Sequence, residues 1–339
     1  MINGIGGVHI MLLANCFVRV GCIAGLIGLM ALAGMAQAEN AAMRGAAAIG
    51  VALNAPAQAR PMMRPGRSAP RTTEICPATL TRAIPDRGRT AMPGSAVVAS
   101  AAALSGAQRD RFLAGNILNG NLPDFLRHLM PVIFLGNDAA GQKILITLCV
   151  TPDYLAVGDD RDYVRVPMGL PAAAQVAERF GFMLPTTRIV DAIYAQADLK
   201  LAPQPMPAGP QMRSTRYFNR HNATVEGQSR AAGLRIGELI AGQKKDLVLS
   251  NVLRSHPGRV AIYGWHRTNG QPIQPLSTVH GEFYADYSHG IRLVSQTAFV
   301  DRRPVALADL LADPAYAAIL SKEGPIRNAE VLMASLPEH

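Results

Sequence analysis

Residues 143–168, KILITLCVTPDYLAVGDDRDYVRVPM, decide the fold class. Three runs rich in β-branched and aromatic residues, KILITLCV, DYLAVG and DYVRVPM, are separated by Thr151-Pro152-Asp153 and Gly158-Asp159-Asp160. Such triplets punctuate a chain, so the runs read as neighbouring antiparallel strands. Upstream, AQRDRFLAGNILNG carries apolar residues at helical spacing and ends in Asn119-Gly120, a C-cap signal. NLPDFLRHLMPVIFLGN reads as a second helix, with Pro123 near its start and Pro131 ending or kinking it. Downstream come two further helices. LPAAAQVAERFG has Pro171 in its first turn and Gly181 past its end; PTTRIVDAIYAQAD places Ile189, Ile193 and Ala197 on one face.

After the proline-rich connector LAPQPMPAGP, a polar helical segment from Tyr217 to Gly233 leads into GELIAGQKKDLVLSN and the strands RVAIYGWH and ADYSHGIRLV. VALADLLADPAYAAIL closes the pattern as a broken helix. Strands and helices come in blocks instead of strict βαβ units. The expectation is therefore an α+β fold with a mainly antiparallel sheet and helices packed on it, a single folded domain over 107–325 followed by a C-terminal tail, 326–339.

The first 38 residues read as a signal peptide: Arg19, an uncharged apolar run from Cys22 to Leu32, and an Ala36-Gln37-Ala38 cleavage site. The run is shorter than the ~20 residues that span a bilayer, and no later segment matches that length, so no membrane span is expected. The protein is expected to be exported, periplasmic or secreted. Of four cysteines, Cys16 and Cys22 leave with the leader. Cys76 and Cys149, in an oxidising compartment, then pair as one disulfide.

Residues 39–106 contain no aromatic side chain and are dominated by Ala, Pro, Arg and Gly. They read as a low-complexity linker, mostly disordered. Eight arginines stand there against Glu39, Glu74 and Asp86, so more than half of the net charge of +9 lies in this segment. Basic tails attract anionic surfaces without specificity. With no aromatic residues to stack bases and no recognition motif, nucleic acid is not an expected partner. Dinucleotide, P-loop, Gly-x-Ser-x-Gly, His-Glu-x-x-His and paired Cys-x-x-Cys motifs are all missing from the sequence.

Catalytic residue types concentrate between Tyr263 and Val294, which hold His266, His280 and His289 and the single tryptophan, Trp265. Strand alternation through ADYSHGIRLV sends Asp286, Ser288 and Arg292 one way and Tyr287, His289, Ile291 and Leu293 the other. The same rule places Val260, Ile262 and His266 opposite Ala261, Tyr263 and Trp265. His289 is the candidate base or ligand, since imidazole titrates nearest working pH; a satisfied core histidine is the alternative. His280, Asp286, Ser288 and Tyr287 are its candidate catalytic partners. Trp265, His266, Arg292, Lys245 and Glu282 are candidates for holding substrate, Lys245 or Arg292 through a carboxylate. His280, Asp286 and His289 also form a donor set that suits catalytic zinc, provided the backbone turns between the last two.

Ser288-His289-Gly290 followed by Ile291-Arg292-Leu293 resembles the Ser-His-Gly-Cys-Ile-Arg signature of L,D-transpeptidases, exported enzymes that crosslink peptidoglycan through a cysteine. Here that cysteine is missing, and no histidine stands about fifteen residues upstream. Ser277, His280, Asp286 and the Trp265-His266 pair resemble, in part, the zinc ligands and Trp-His pair of D-Ala-D-Ala carboxypeptidases, with a spacing one residue short and the pair on the other side. Both resemblances imply a cell-envelope substrate. The functional expectation is an exported hydrolase acting on a cell-envelope polymer, an amide or peptide bond of peptidoglycan, through a His/Asp-centred site. The alternative is a non-catalytic periplasmic or secreted glycan- or peptide-binding protein, with Trp265, Tyr263, Tyr284 and Tyr287 stacking on its ligand. A glycan-cleaving pair of Glu282 and Asp286 is a third reading.

Overall fold

Strand β1 (Met130–Asn137) pairs along its whole length with β2 (Lys143–Val150), and this hairpin organises the larger sheet. The computed structural model describes residues 75–334, all within one compact unit. The expected leader, residues 39–74 of the expected linker and residues 335–339 lie outside the described residues.

Two short strands follow as a separate antiparallel hairpin, β3 (Ala156–Gly158) and β4 (Tyr163–Arg165). Later come β5 (Phe182–Met183), β6 (Leu199–Lys200), β7 (Ile240–Ala241), β8 (Lys245–Leu247), β9 (Ile262–His266), β10 (Pro272–Ser277), β11 (His289–Gly290), β12 (Val294–Ser295), β13 (Thr297–Val300) and β14 (Arg303–Ala306). The larger sheet runs β14-β13-β2-β12-β5, with β1 also paired to β2. A second sheet of four strands runs β10-β9-β8-β11 and carries the stretch rich in catalytic residue types. Its pairings are antiparallel except β11 with β8, and β6 with β7 forms a small parallel pair elsewhere.

Eight α-helices lie among the described residues: α1 (Gly94–Ser100), α2 (Gly106–Leu118), α3 (Leu170–Phe180), α4 (Thr187–Gln196), α5 (Thr215–Ala231), α6 (Leu307–Ala312), α7 (Pro314–Leu320) and α8 (Ala329–Ala334). The fold is thus α+β with mainly antiparallel sheets, divided between two principal sheets instead of one. Local chemistry sets several of these boundaries. Helix α3 has a proline in its first turn and ends on Gly181 in the left-handed conformation, φ 79°. The Thr186 hydroxyl caps α4 by accepting from Ile189 N. No helix among the described residues is long and apolar enough to cross a membrane.

Three expectations are corrected. The helix expected through Pro131 is a single 3-10 turn, Asp124–Arg127, after which β1 begins. Val132 and Phe134 are buried while Ile133 and Leu135 are exposed, a period of two that places this run on a sheet. Pro131 is tolerated because β1 lies at an edge, where a missing N–H breaks no ladder. Second, the folded unit begins before residue 107. Helix α1 buries Val97, Val98 and Ala101, and Gly94 packs so tightly against the β3–β4 hairpin that a Cβ there would meet Val157 O at 2.5 Å. Third, the expected tail is partly folded, with Ile326 fully buried and Leu332 and Met333 of α8 in the core. The expected disulfide is present: Cys76 is bonded to Cys149 of β2, tying the segment before α1 to the larger sheet.

Candidate active site

The strand expected over ADYSHGIRLV is interrupted by a turn. His289 N donates to Asp286 O (3.0 Å), while Ser288 N and Oγ both donate to Asp286 Oδ1 at 2.7 and 2.6 Å. A carboxylate that accepts from the backbone two residues on is a standard turn former. It breaks the alternation and brings Asp286 and His289 to one side. Only β11, two residues long, and Val294 at the start of β12 remain as strand, β11 being joined in parallel to Lys245 and Asp246 of β8. Gly290 is required there by packing, since a Cβ would sit 2.5 Å from the Tyr154 ring and 2.9 Å from Lys244 Cβ.

His289 Nε2 lies 4.0 Å from Asp286 Oδ2. That oxygen also accepts from Tyr284 Oη (3.0 Å). His289 is fully buried, and neither ring nitrogen has a hydrogen-bond partner among the described residues. Burial lowers its pKa to about 4 against the opposing pull of Asp286, so the imidazole is neutral at neutral pH. For Asp286, burial acts upward, but His289, the two bonds from Ser288 and Lys245 hold the carboxyl below its ordinary range. The His280 ring stacks on Tyr284 with centroids 3.9 Å apart and planes 6° apart. Both rings are partly exposed and lie 6.0 and 5.7 Å from the His289 ring. Burial also lowers the pKa of His280.

Cations and aromatic rings border this group. Lys245 Nζ lies 5.1 Å from the Trp265 ring centre and Arg213 lies 5.4 Å from that of Tyr284. Lys244, fully buried, donates through Nζ to Tyr287 O at 2.5 Å, and burial together with Arg165 lowers its pKa to about 7.

Several expected site residues take other roles. The Tyr287 hydroxyl is engaged by the Met206 backbone, accepting from its N (2.7 Å) and donating to its O (3.2 Å). Ser288 Oγ donates to Asp286 and, among the described residues, to no histidine. Arg292 is fully buried, donating to Thr151 O and Ile240 O with its guanidinium 4.3 Å from the Tyr154 ring centre. It joins chain segments, and His289 is likewise fully buried. Glu282 lines a separate cavity of about 330 Å³ with Arg254, His256 and Arg259. Among the described residues no group of three His, Cys, Asp or Glu is arranged to hold a metal ion, and the trio His280, Asp286 and His289 is no exception.

His266 belongs to a different site. Gly264 (φ 106°) and Trp265 (φ 57°) both adopt left-handed backbone, which breaks alternation in β9 and puts Tyr263 and His266 on the same side. His266 Nε2 and Tyr263 Oη each donate to Asp191 Oδ1 at 2.9 Å, and Lys322 pairs with Oδ2 of the same carboxylate. Burial acts upward on Asp191, but the bonds from His266, Lys322 and Tyr263 hold its pKa below the ordinary value. These residues line an open cleft of about 610 Å³ with Tyr194, Lys200 and Asn269. Trp265 points the other way, its ring edge-on to Tyr287 at 6.5 Å.

Sequence reading found His280, Asp286, His289, Lys245 and Trp265 but missed Arg213, and it named Tyr284 only as a stacking residue. No linear signal marks Arg213, which arrives from the segment preceding α5. Asp191, on α4, is equally silent in sequence because its partners lie 72 and 75 residues away. Comparison with protein-family models, with curated proteins and with solved structures finds no match.

Proposed function

We propose that the chain is an exported hydrolase of an amide or peptide bond in a cell-envelope polymer, peptidoglycan, with His289 as general base. The observation that carries this reading is a fully buried imidazole that has no hydrogen-bond partner among the described residues and lies 4.0 Å from a carboxylate. A buried polar group left unpaired costs free energy that folding alone has no reason to retain. In the proposed reaction, His289 removes a proton from a water that attacks the carbonyl carbon, and returns it to the amine as the C–N bond breaks. Asp286, fixed by Ser288 and Tyr284, stabilises the imidazolium in between. Lack of a cysteine after Gly290 favours attack by water over transfer through a thioester. The disulfide fits an oxidising compartment.

A second reading, a non-catalytic glycan- or peptide-binding protein, is favoured by a different observation: His289 is closed off, and the rings nearest solvent, His280 and Tyr284, present a flat stack. The mature protein incubated with purified peptidoglycan, with and without chelator, separates the two. New soluble fragments that vanish in His289→Gln support the hydrolase. Intact polymer that co-sediments with the protein supports binding alone.

A further inference from the structure

The groups around Asp286 contain more hydrogen-bond donors than acceptors. Lys245 Nζ lies over the face of Trp265, and among the described residues it meets neither a carboxylate at ion-pair distance nor any hydrogen-bond acceptor. The Trp265 Nε1–H, in a residue only 6% exposed, is buried and has no acceptor among the described residues. Arg213 lies against Tyr284, exposed, with its guanidinium likewise unbonded. The one carboxylate nearby, Asp286, accepts from Tyr284 and twice from Ser288 and makes no hydrogen bond to any of these three groups among the described residues. Trp265 is moreover held at φ 57°, a left-handed conformation unfavourable for an ordinary residue, and this backbone sends the indole away from the Asp191 cleft.

We propose that Lys245 and Trp265, with Arg213 at the rim, form a carboxylate-binding subsite beside His289, so that the ligand is a peptide ending in a free carboxylate. A carboxylate offers about four acceptor positions and no donor, which complements an ammonium, an indole N–H and a guanidinium. Such a ligand places its last amide bond near His289, and under the hydrolase reading the reaction is removal of a C-terminal residue. That last step rests on the proposed function; the subsite itself does not require catalysis.

Trp265 is the only tryptophan in the chain, so its fluorescence reports on this site alone. Full-length mature protein is titrated with N-acetyl-alanyl-alanine in both enantiomeric forms, as free acid and as C-terminal amide. Saturable change in Trp265 emission is expected with the free acid of one form, at a midpoint at least tenfold below that of its amide. Lys245→Gln abolishes the difference between acid and amide, and Arg213→Ala, at an exposed position, weakens the acid severalfold while the melting temperature holds. Acid and amide titrating alike, or neither altering the emission, overturns the proposal. Calorimetric titration of Lys245→Arg covers the case in which Lys245→Gln does not fold: recovered preference for the acid supports the subsite, and its loss in a folded Lys245→Arg counts against it. If acid preference stands but peptidoglycan stays intact, the hydrolase reading fails and the subsite survives. If acid and amide titrate alike but peptidoglycan is still cut, the subsite fails and the hydrolase survives.

Discussion

Nε2 of His289 stands 4.0 Å from Oδ2 of Asp286, and the turn that brings them together is closed by Asp286 itself, through its bonds to Ser288 N and Oγ. One carboxylate thus makes the local backbone with one oxygen and faces the imidazole with the other. The arrangement separates catalytic from structural effects by substitution.

His289→Gln keeps the volume and removes the base. General base catalysis contributes typically ~10²–10⁴-fold, so release of peptidoglycan fragments is expected to fall at least a hundredfold with the melting temperature little changed. Ser288→Ala removes one bond to Asp286 and leaves the backbone N–H in place. Its expected loss is about tenfold, because the carboxylate is less well fixed. Equal activity in His289→Gln and the wild type would end the proposed role.

The pH dependence of stability follows from burial. The folded-state pKa of His289, about 4, lies below the ordinary 6.5, so the native protein binds its proton less readily than the unfolded chain. The stabilisation is fully present above pH 6.5 and is lost progressively as pH falls towards 4. At about 1.4 kcal/mol per pKa unit, protonation of this histidine in the unfolded chain costs the native state roughly 3 kcal/mol by pH 4, and nothing at neutral pH, where it is neutral in both states. His221, lowered to about 2 by burial and by Lys244, acts in the same direction over a wider window. Urea midpoints measured from pH 7 to 4 are expected to decline, and less steeply in His289→Gln. An unchanged slope in that variant would contradict the burial argument.

How much of this was legible in the sequence depends on the range over which each interaction acts. Helices α3 and α4 are marked by Pro171, Gly181 and apolar spacing, all within one segment, and they form where expected. The disulfide follows from cysteine arithmetic and compartment. Strand β1 was misread because LMPVIFLGN has no polar residue before Asn137 to show which period governs it, and only pairing with β2 decides. The site was legible as a set of residue types but not as geometry. Two local departures from strand geometry, the Asp286–His289 turn and the left-handed pair at Gly264 and Trp265, exchanged faces that simple alternation had assigned. Neither carries the Asn-Gly or Pro-Gly signature by which turns are read from sequence.

The Cys76–Cys149 bond spans 73 positions in sequence and is the covalent tie between the segment preceding α1 and β2. A native disulfide of this span contributes on the order of 2–4 kcal/mol. For a folded unit of this size, each kcal/mol shifts the melting temperature by about 2–4 °C. Cys76→Ala with Cys149→Ala is therefore expected to melt roughly 5–15 °C lower, and dithiothreitol to reproduce the shift in the wild type. Alanine is preferred to serine because Cys149 is fully buried and an unpaired hydroxyl would add its own cost. Identical melting curves would show that β2 holds its neighbours without the bond.

Arg165 on β4 is 1% exposed and binds Asp153 through Nε (2.8 Å) and Nη2, Glu226 through Nη1 (2.7 Å), and Asn222 through Nη1 (2.9 Å). The last two partners lie on α5, so one guanidinium joins the β3–β4 hairpin to that helix, while Gln243 Nε2 also donates to Asp153 Oδ1. Removing one member of a buried ion pair strands the other, a cost of about 3–5 kcal/mol, whereas replacing both by apolar groups is often close to neutral. Arg165→Met is accordingly expected to lower stability by that amount in urea unfolding. Adding Asp153→Leu should restore a large part of it, since the stranded Asp153 carboxylate is the main penalty; Glu226, 24% exposed in its side chain, can turn to solvent. Additive losses in the double variant would mean that packing around Asp153 and Arg165, and not their charges, sets the stability of this region.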